Sequence, residues 1–139
     1  MKEIIAMPET QDISAELILL ESAALERWGN GDPSGFLEIC APDIVYFDPY
    51  QDMRIDGLEA LTRFYKSIWG QVNFDCFELL NPCVQVEGKL AVLTFNYVSY
   101  AGDKTSRWNC TEVYRHDDVG WRIIQTHWSY TRHPGIVDS

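Results

Sequence analysis

The stretch Leu90-Ala91-Val92-Leu93-Thr94-Phe95-Asn96-Tyr97-Val98-Ser99-Tyr100 decides how this chain folds. It lacks the three- and four-residue apolar steps of a helix and is dense in branched and aromatic side chains. Gly88-Lys89 and Ala101-Gly102-Asp103-Lys104 frame it with turn residues. It therefore reads as a strand, and the same texture extends both ways. About Asn73–Glu87, interrupted at Asn81-Pro82, precedes it, and Ser106–His116 and Trp121–Thr131 follow, the last two joined by Asp117-Asp118-Val119-Gly120. Four such segments with short connections predict an antiparallel meander.

Upstream the period changes. From Ile13 to Trp28, Leu17, Leu20, Ala24 and Trp28 recur at helical steps, with Ile13, Leu19 and Leu25 nearby, while Glu16, Glu21, Glu26 and Arg27 supply the polar positions. Gly29-Asn30-Gly31-Asp32-Pro33 ends that helix. A short second helix is predicted from Ser34 to Cys40, closed by Ala41-Pro42-Asp43, and then a strand, Ile44-Val45-Tyr46-Phe47-Asp48, halted by Pro49. Gly57 opens a third helix with Leu58, Leu61, Phe64, Tyr65, Ile68 and Trp69 on one face. Three helices before a long meander give an α+β layout, helices covering one face of a mostly antiparallel sheet. The expected boundaries are a loose lead-in over residues 1–12, one domain over 13–132 and a tail over 133–139.

The 139 residues suit a single domain, and 46% hydrophobic with 23% charged residues excludes disorder. Eleven Lys plus Arg against 21 Asp plus Glu leave a net charge of -10, which repels nucleic acid and anionic membrane surfaces. No apolar run reaches membrane-spanning length and Met1–Glu9 does not resemble a signal peptide, so a cytoplasmic location is expected. Cys40, Cys76, Cys83 and Cys110 are scattered, spelling neither a zinc site nor a dithiol, and no metal or cofactor is expected. Asp48, Asp52 and Asp56 are evenly spaced, but the glycine and closing Glu of a calcium loop are missing.

Several short signatures stand in order: Asn30-Gly31-Asp32, Phe47-Asp48-Pro49, Gly57 with Phe64-Tyr65, Leu80-Asn81-Pro82, and Gly120-Trp121 leading to His127 and Ser129. Together they resemble the nuclear transport factor 2-like superfamily, which includes SnoaL-like and ketosteroid isomerase-like proteins. The likeness is greatest to the association domain of calcium/calmodulin-dependent protein kinase II and its free-standing bacterial relatives. The resemblance implies a cystatin-like cone: three helices packed on a strongly curved sheet that encloses a pocket, its outer face often used for dimerisation.

The segment from Asp48-Pro49 to Phe64-Tyr65 also resembles the part of ketosteroid isomerases and polyketide cyclases that carries the general base. That match puts Asp48 in the base's place, with Tyr46, Tyr50 and Trp69 available as apolar walls. The isomerase's first-helix tyrosine falls near Ala24, and its protonated acid falls near Thr111 or Glu112. The arginines that line the pocket of the kinase-associated relatives match Tyr97, Glu112 and Trp128, so an anion pocket has become an aromatic one holding a carboxylate. Strand alternation then assigns Phe95, Tyr97 and Ser99, Cys110, Glu112 and Tyr114, and Thr126, Trp128 and Tyr130 to the cavity side. Gln125, His127 and Ser129 take the opposite face, where a second copy of the chain could dock. Two readings stay open: an isomerase, cyclase or dehydratase pocket for a small hydrophobic or aromatic ligand, planar and weakly polar or cationic, with Asp48 as base and Tyr46, Trp69, Tyr97, Glu112 and Trp128 around it, or a non-enzymatic association module that forms a homodimer or a larger ring. Asp48 also has an ordinary reading, since Asp before proline commonly caps a turn.

Overall fold

In the computed structural model, which describes residues 10–132, helix α1 runs Thr10–Gly29 and buries Ile13, Leu17, Ala24 and Leu25 on one face. Each such buried aliphatic side chain stabilises by about 1.5–3 kcal/mol before ordering costs. The helix starts three residues inside the expected lead-in; the rest of that lead-in and the expected tail lie outside the described residues. Glu21, read as a polar position, is instead completely buried.

Gly29 ends α1 for a steric reason. A Cβ there would sit 2.2 Å from the Phe74 ring, and the Gly29 carbonyl accepts the Phe74 amide at 3.0 Å. The left-handed turn falls two residues on, at Gly31 with φ 84°. Asp32 then organises the next start: its Oδ1 accepts the Ser34 amide at 3.0 Å, and Arg27 Nε reaches Oδ2 at 2.9 Å.

Helix α2 covers Ser34–Ile39, and strand β1 follows without a break over Cys40–Phe47. Ala41-Pro42-Asp43 thus belongs to a strand and does not close the helix. Its pairing explains the misreading: β1 lies parallel to the final strand, and the register slips between Cys40 and Val45, a bulge that tolerates Pro42. Asp43 is tied there by a two-pronged bond to Arg115 at 2.8 and 2.9 Å. The short β2, Ile55–Asp56, pairs antiparallel with β1 and was not foreseen. Helix α3 is Leu58–Ser67, burying Leu61 and Tyr65.

The predicted meander is present as β3 Cys76–Glu87, β4 Leu90–Ala101, β5 Lys104–Asp117 and β6 Gly120–Tyr130. The strand order is β2-β1-β6-β5-β4-β3, antiparallel throughout except for the β1–β6 pair. Asn81-Pro82 bends β3: the β3–β4 register shifts between Leu80 and Cys83, with Asn81 at φ 54°. Ala91, Leu93, Phe95 and Tyr97 alternate into the core beneath the helices. The result is the expected α+β cone, helices on the concave face of a curved six-stranded sheet. Among the described residues no helix is long and apolar enough to cross a membrane.

Candidate functional site

The open end of the cone holds a cavity of about 470 Å³, within the usual size of small-molecule sites. Ten of its lining residues are aromatic. Helix α1 brings Trp28, α3 brings Phe64 and Tyr65, and the inner faces of β1, β4, β5 and β6 bring Tyr46, Tyr97, Trp108 and Trp128. The rings brace one another: Trp128 meets Tyr97 at 5.6 Å and Trp108 at 6.2 Å, and Tyr65 meets Trp28 at 5.2 Å and Tyr46 at 5.8 Å, all edge to face. Such contacts fix ring orientation and leave a preformed apolar wall.

Among the described residues Asp48 is the only carboxylate in this wall, and neither lysine, arginine nor histidine lines it. It follows β1 directly, so the strand aims the carboxylate. The Tyr46 hydroxyl donates to its Oδ2 at 2.6 Å and the Tyr50 amide to its Oδ1 at 2.7 Å. The catalytic expectation and the turn-capping expectation therefore meet in one group, because capping Tyr50 occupies one lone pair and leaves others. Tyr50 in turn bonds the Tyr130 hydroxyl and packs on Trp108 at 6.1 Å.

Tyr97 lines the cavity with its ring alone, since the side chain is 4% exposed and its hydroxyl is fully buried. Burial pushes its phenol up, as it does those of Tyr46 and Tyr65, so all three keep their protons.

Two expected residues stand elsewhere. Trp69, beyond the end of α3, is 51% exposed and does not line the cavity. Glu112 points inward as alternation requires, yet it is sealed from the cavity, in a polar cluster with Glu21. Tyr114 Oη lies 3.0 Å from Glu21 Oε1 and 3.3 Å from Glu112 Oε2, and Thr126 donates to Glu112 Oε1 at 3.1 Å. Burial, and then the charge of Glu112, hold the Glu21 carboxyl well above its usual 4.5; burial raises Glu112 as well. Reading by sequence missed Glu21 although a signal was there: Leu17, Glu21 and Leu25 fall at four-residue steps along one stripe. It also missed Trp28, Phe36, Phe74 and Trp108 as wall residues, since rings that line a cavity and rings that fill a core have the same spacing.

On the outer face Gln125 and His127 are exposed and border a second groove of about 270 Å³ with Val45, Phe47 and Thr111; Ser129 is half-buried outside it. The His127 ring lies 5.1 Å from the 42% exposed Phe47. Among the described residues no group of His, Cys, Asp and Glu could hold a metal.

Residues 22–125 match the family model of the SnoaL-like domain. Among solved structures, a "putative ketosteroid isomerase" from Parabacteroides distasonis is 44% identical, over 90% of this chain and 94% of that one, with a TM-score of 0.80. An NTF2-like protein of unknown function from Pseudomonas putida is 24% identical over 92% and 93% of the two chains, with a TM-score of 0.78. The calcium/calmodulin-dependent kinase II hub of S. rosetta, at 21% identity over 90% and 100%, has a TM-score of 0.70. No curated protein matches.

Proposed function

The chain belongs to the SnoaL-like family with its nuclear transport factor 2-like fold, and from that premise we propose that its cavity binds a small apolar or aromatic molecule on which Asp48 acts as general base. The reaction class is isomerisation, cyclisation or dehydration, each of which starts by moving a proton off carbon or onto a leaving oxygen. One observation carries the reading: among the described residues a single carboxylate, oriented by two donors, in a wall otherwise built of rings, aliphatic side chains and neutral polar groups. The likeness to the Parabacteroides protein supports it. The catalytic parts expected from the isomerase pattern stay absent, because Ala24 has no donor and Glu112 lies outside the cavity. The four free cysteines accord with a cytoplasmic location.

The test is a thermal-shift screen against steroids, aromatic polyketides and small amines, with hits followed by mass spectrometry for chemical change. A hit should raise the melting temperature of the parent and lose that effect in Trp128→Leu. Turnover of that hit should fall about a hundredfold or more in Asp48→Asn. Unchanged turnover in that variant removes Asp48 from the mechanism.

A second reading, the association module, is favoured by the outer face, where Phe47 and His127 present an exposed ring pair beside Gln125 and Ser129. A homodimer through this face is compatible with a working cavity. A monomeric mass by light scattering at micromolar concentration counts against it.

A further inference from the structure

The cavity is unusual for what it lacks. A pocket lined by rings alone takes any apolar ligand, and one with an arginine takes an acid; this one pairs ring faces with one carboxylate and, among the described residues, offers no positive group. Ring faces carry negative quadrupole density, so they and Asp48 attract the same kind of charge. The Tyr97 ring adds one such face, its hydroxyl being buried away from the cavity. The chain's net charge of -10 adds a long-range field of the same sign, which draws cations toward the molecule and holds anions away.

Resting on the reading of the cavity as a ligand site, we propose that its ligand is an organic cation: a protonated or quaternary amine carried on an apolar body. The charged nitrogen sits between Asp48 and the Trp108 and Tyr97 rings, and the apolar body packs toward Trp28 and Phe36. Asp48 then has a binding role that precedes any proton transfer. The bonds it already accepts from Tyr46 and Tyr50 serve that role, because they hold the carboxylate in place while leaving lone pairs toward the cavity. A ligand carboxylate or phosphate would find no cation among the described lining residues and would stand beside the Asp48 carboxylate, which disfavours it.

Titration calorimetry with three probes of one shape tests this. They are phenethyltrimethylammonium, its neutral isostere with a tert-butyl group in place of the ammonium, and phenylpropionate. The ammonium should bind at least about tenfold more tightly than the isostere, and phenylpropionate should not bind. Asp48→Asn, checked for an unchanged melting curve, should erase most of that ratio while leaving the isostere's affinity as it was. Trp108→Leu should reduce the ratio by a smaller factor. If the isostere binds as tightly as the ammonium, the cavity is a ligand site but the charge preference is wrong. Tighter binding of phenylpropionate also overturns the preference, and failure of all three to bind at millimolar concentration overturns the reading of the cavity with it.

Discussion

Two places inside the same cone bury carboxyl groups, and they do so in opposite ways. At the open end Asp48 is partly exposed, has a donor on each oxygen and faces a cavity. At the closed end Glu21 and Glu112 are fully buried against each other, and three of their four oxygens share the hydroxyls of Tyr114 and Thr126 and the Cys110 thiol, with Glu21 Oε2 left unpartnered. Tyr114 has one proton for two nearby acceptors, so the cluster is completed by a proton held on the carboxyl pair itself. Asp48 stays partly open to solvent, whereas burial removes charge from the pair. One end is arranged to meet a ligand and the other to close a core.

Variants can break that contrast. The largest expected effect is Glu112→Ala, which strands Glu21, Tyr114 and Thr126 and leaves a void; it should cost about 3 kcal/mol or more in urea unfolding. A cost below about 1 kcal/mol would mean that the pair does not organise the closed end. Gly29→Ala drives a methyl into the Phe74 ring, which also lines the cavity, and should cost about 1–3 kcal/mol while changing ligand affinity. A normal melting curve with unchanged affinity would show that Phe74 yields freely.

The pH response sharpens the contrast further. Because both glutamates bind their shared proton more tightly in the folded state than the ordinary 4.5 allows, their contribution to stability is complete below about pH 4.5 and is lost as pH rises through the raised values. The parent's melting temperature should fall as pH rises above about 4.5 through the raised values, and Glu21→Gln, which places a permanent donor beside Glu112, should flatten that slope. Equal slopes in the two proteins would put the titrating group elsewhere. Cys40 and Cys110 do not compete for this role, since burial and the neighbouring carboxyls hold both as thiols. The smallest effect on stability belongs to Asp48→Asn, within about 0.5 kcal/mol, because the replacement keeps an acceptor for Tyr46 at a partly exposed site. A loss of several kcal/mol there would make Asp48 a structural group.

The fold was largely legible because each element carries its own local rule. The meander shows in the strand texture after Asn73, and α1 in the four-residue spacing of Ile13, Leu17 and Leu25. The site was legible in part. Asp48, Tyr46, Tyr97 and Trp128 do meet in one cavity, and strand alternation placed the three inward groups on β4, β5 and β6. Trp69 misled because an apolar helical face runs on past the residue where the helix stops. Glu112 misled because alternation fixes which side a residue faces but not how far along the cone it lies.

By itself the sequence determined the order and type of the long elements, the acidic balance of the chain and the inward face of β4, β5 and β6, since these depend on neighbours a few residues apart. Tertiary structure alone decided three things: that β1 lies parallel to β6 across a bulge at Pro42, that ten rings surround one carboxylate, and that Glu21 meets Glu112 across 91 residues of chain. The physical reason is that a cavity and a buried proton are both properties of groups brought together by closure of the sheet on its helices, and no local pattern records which distant side chains will share that space.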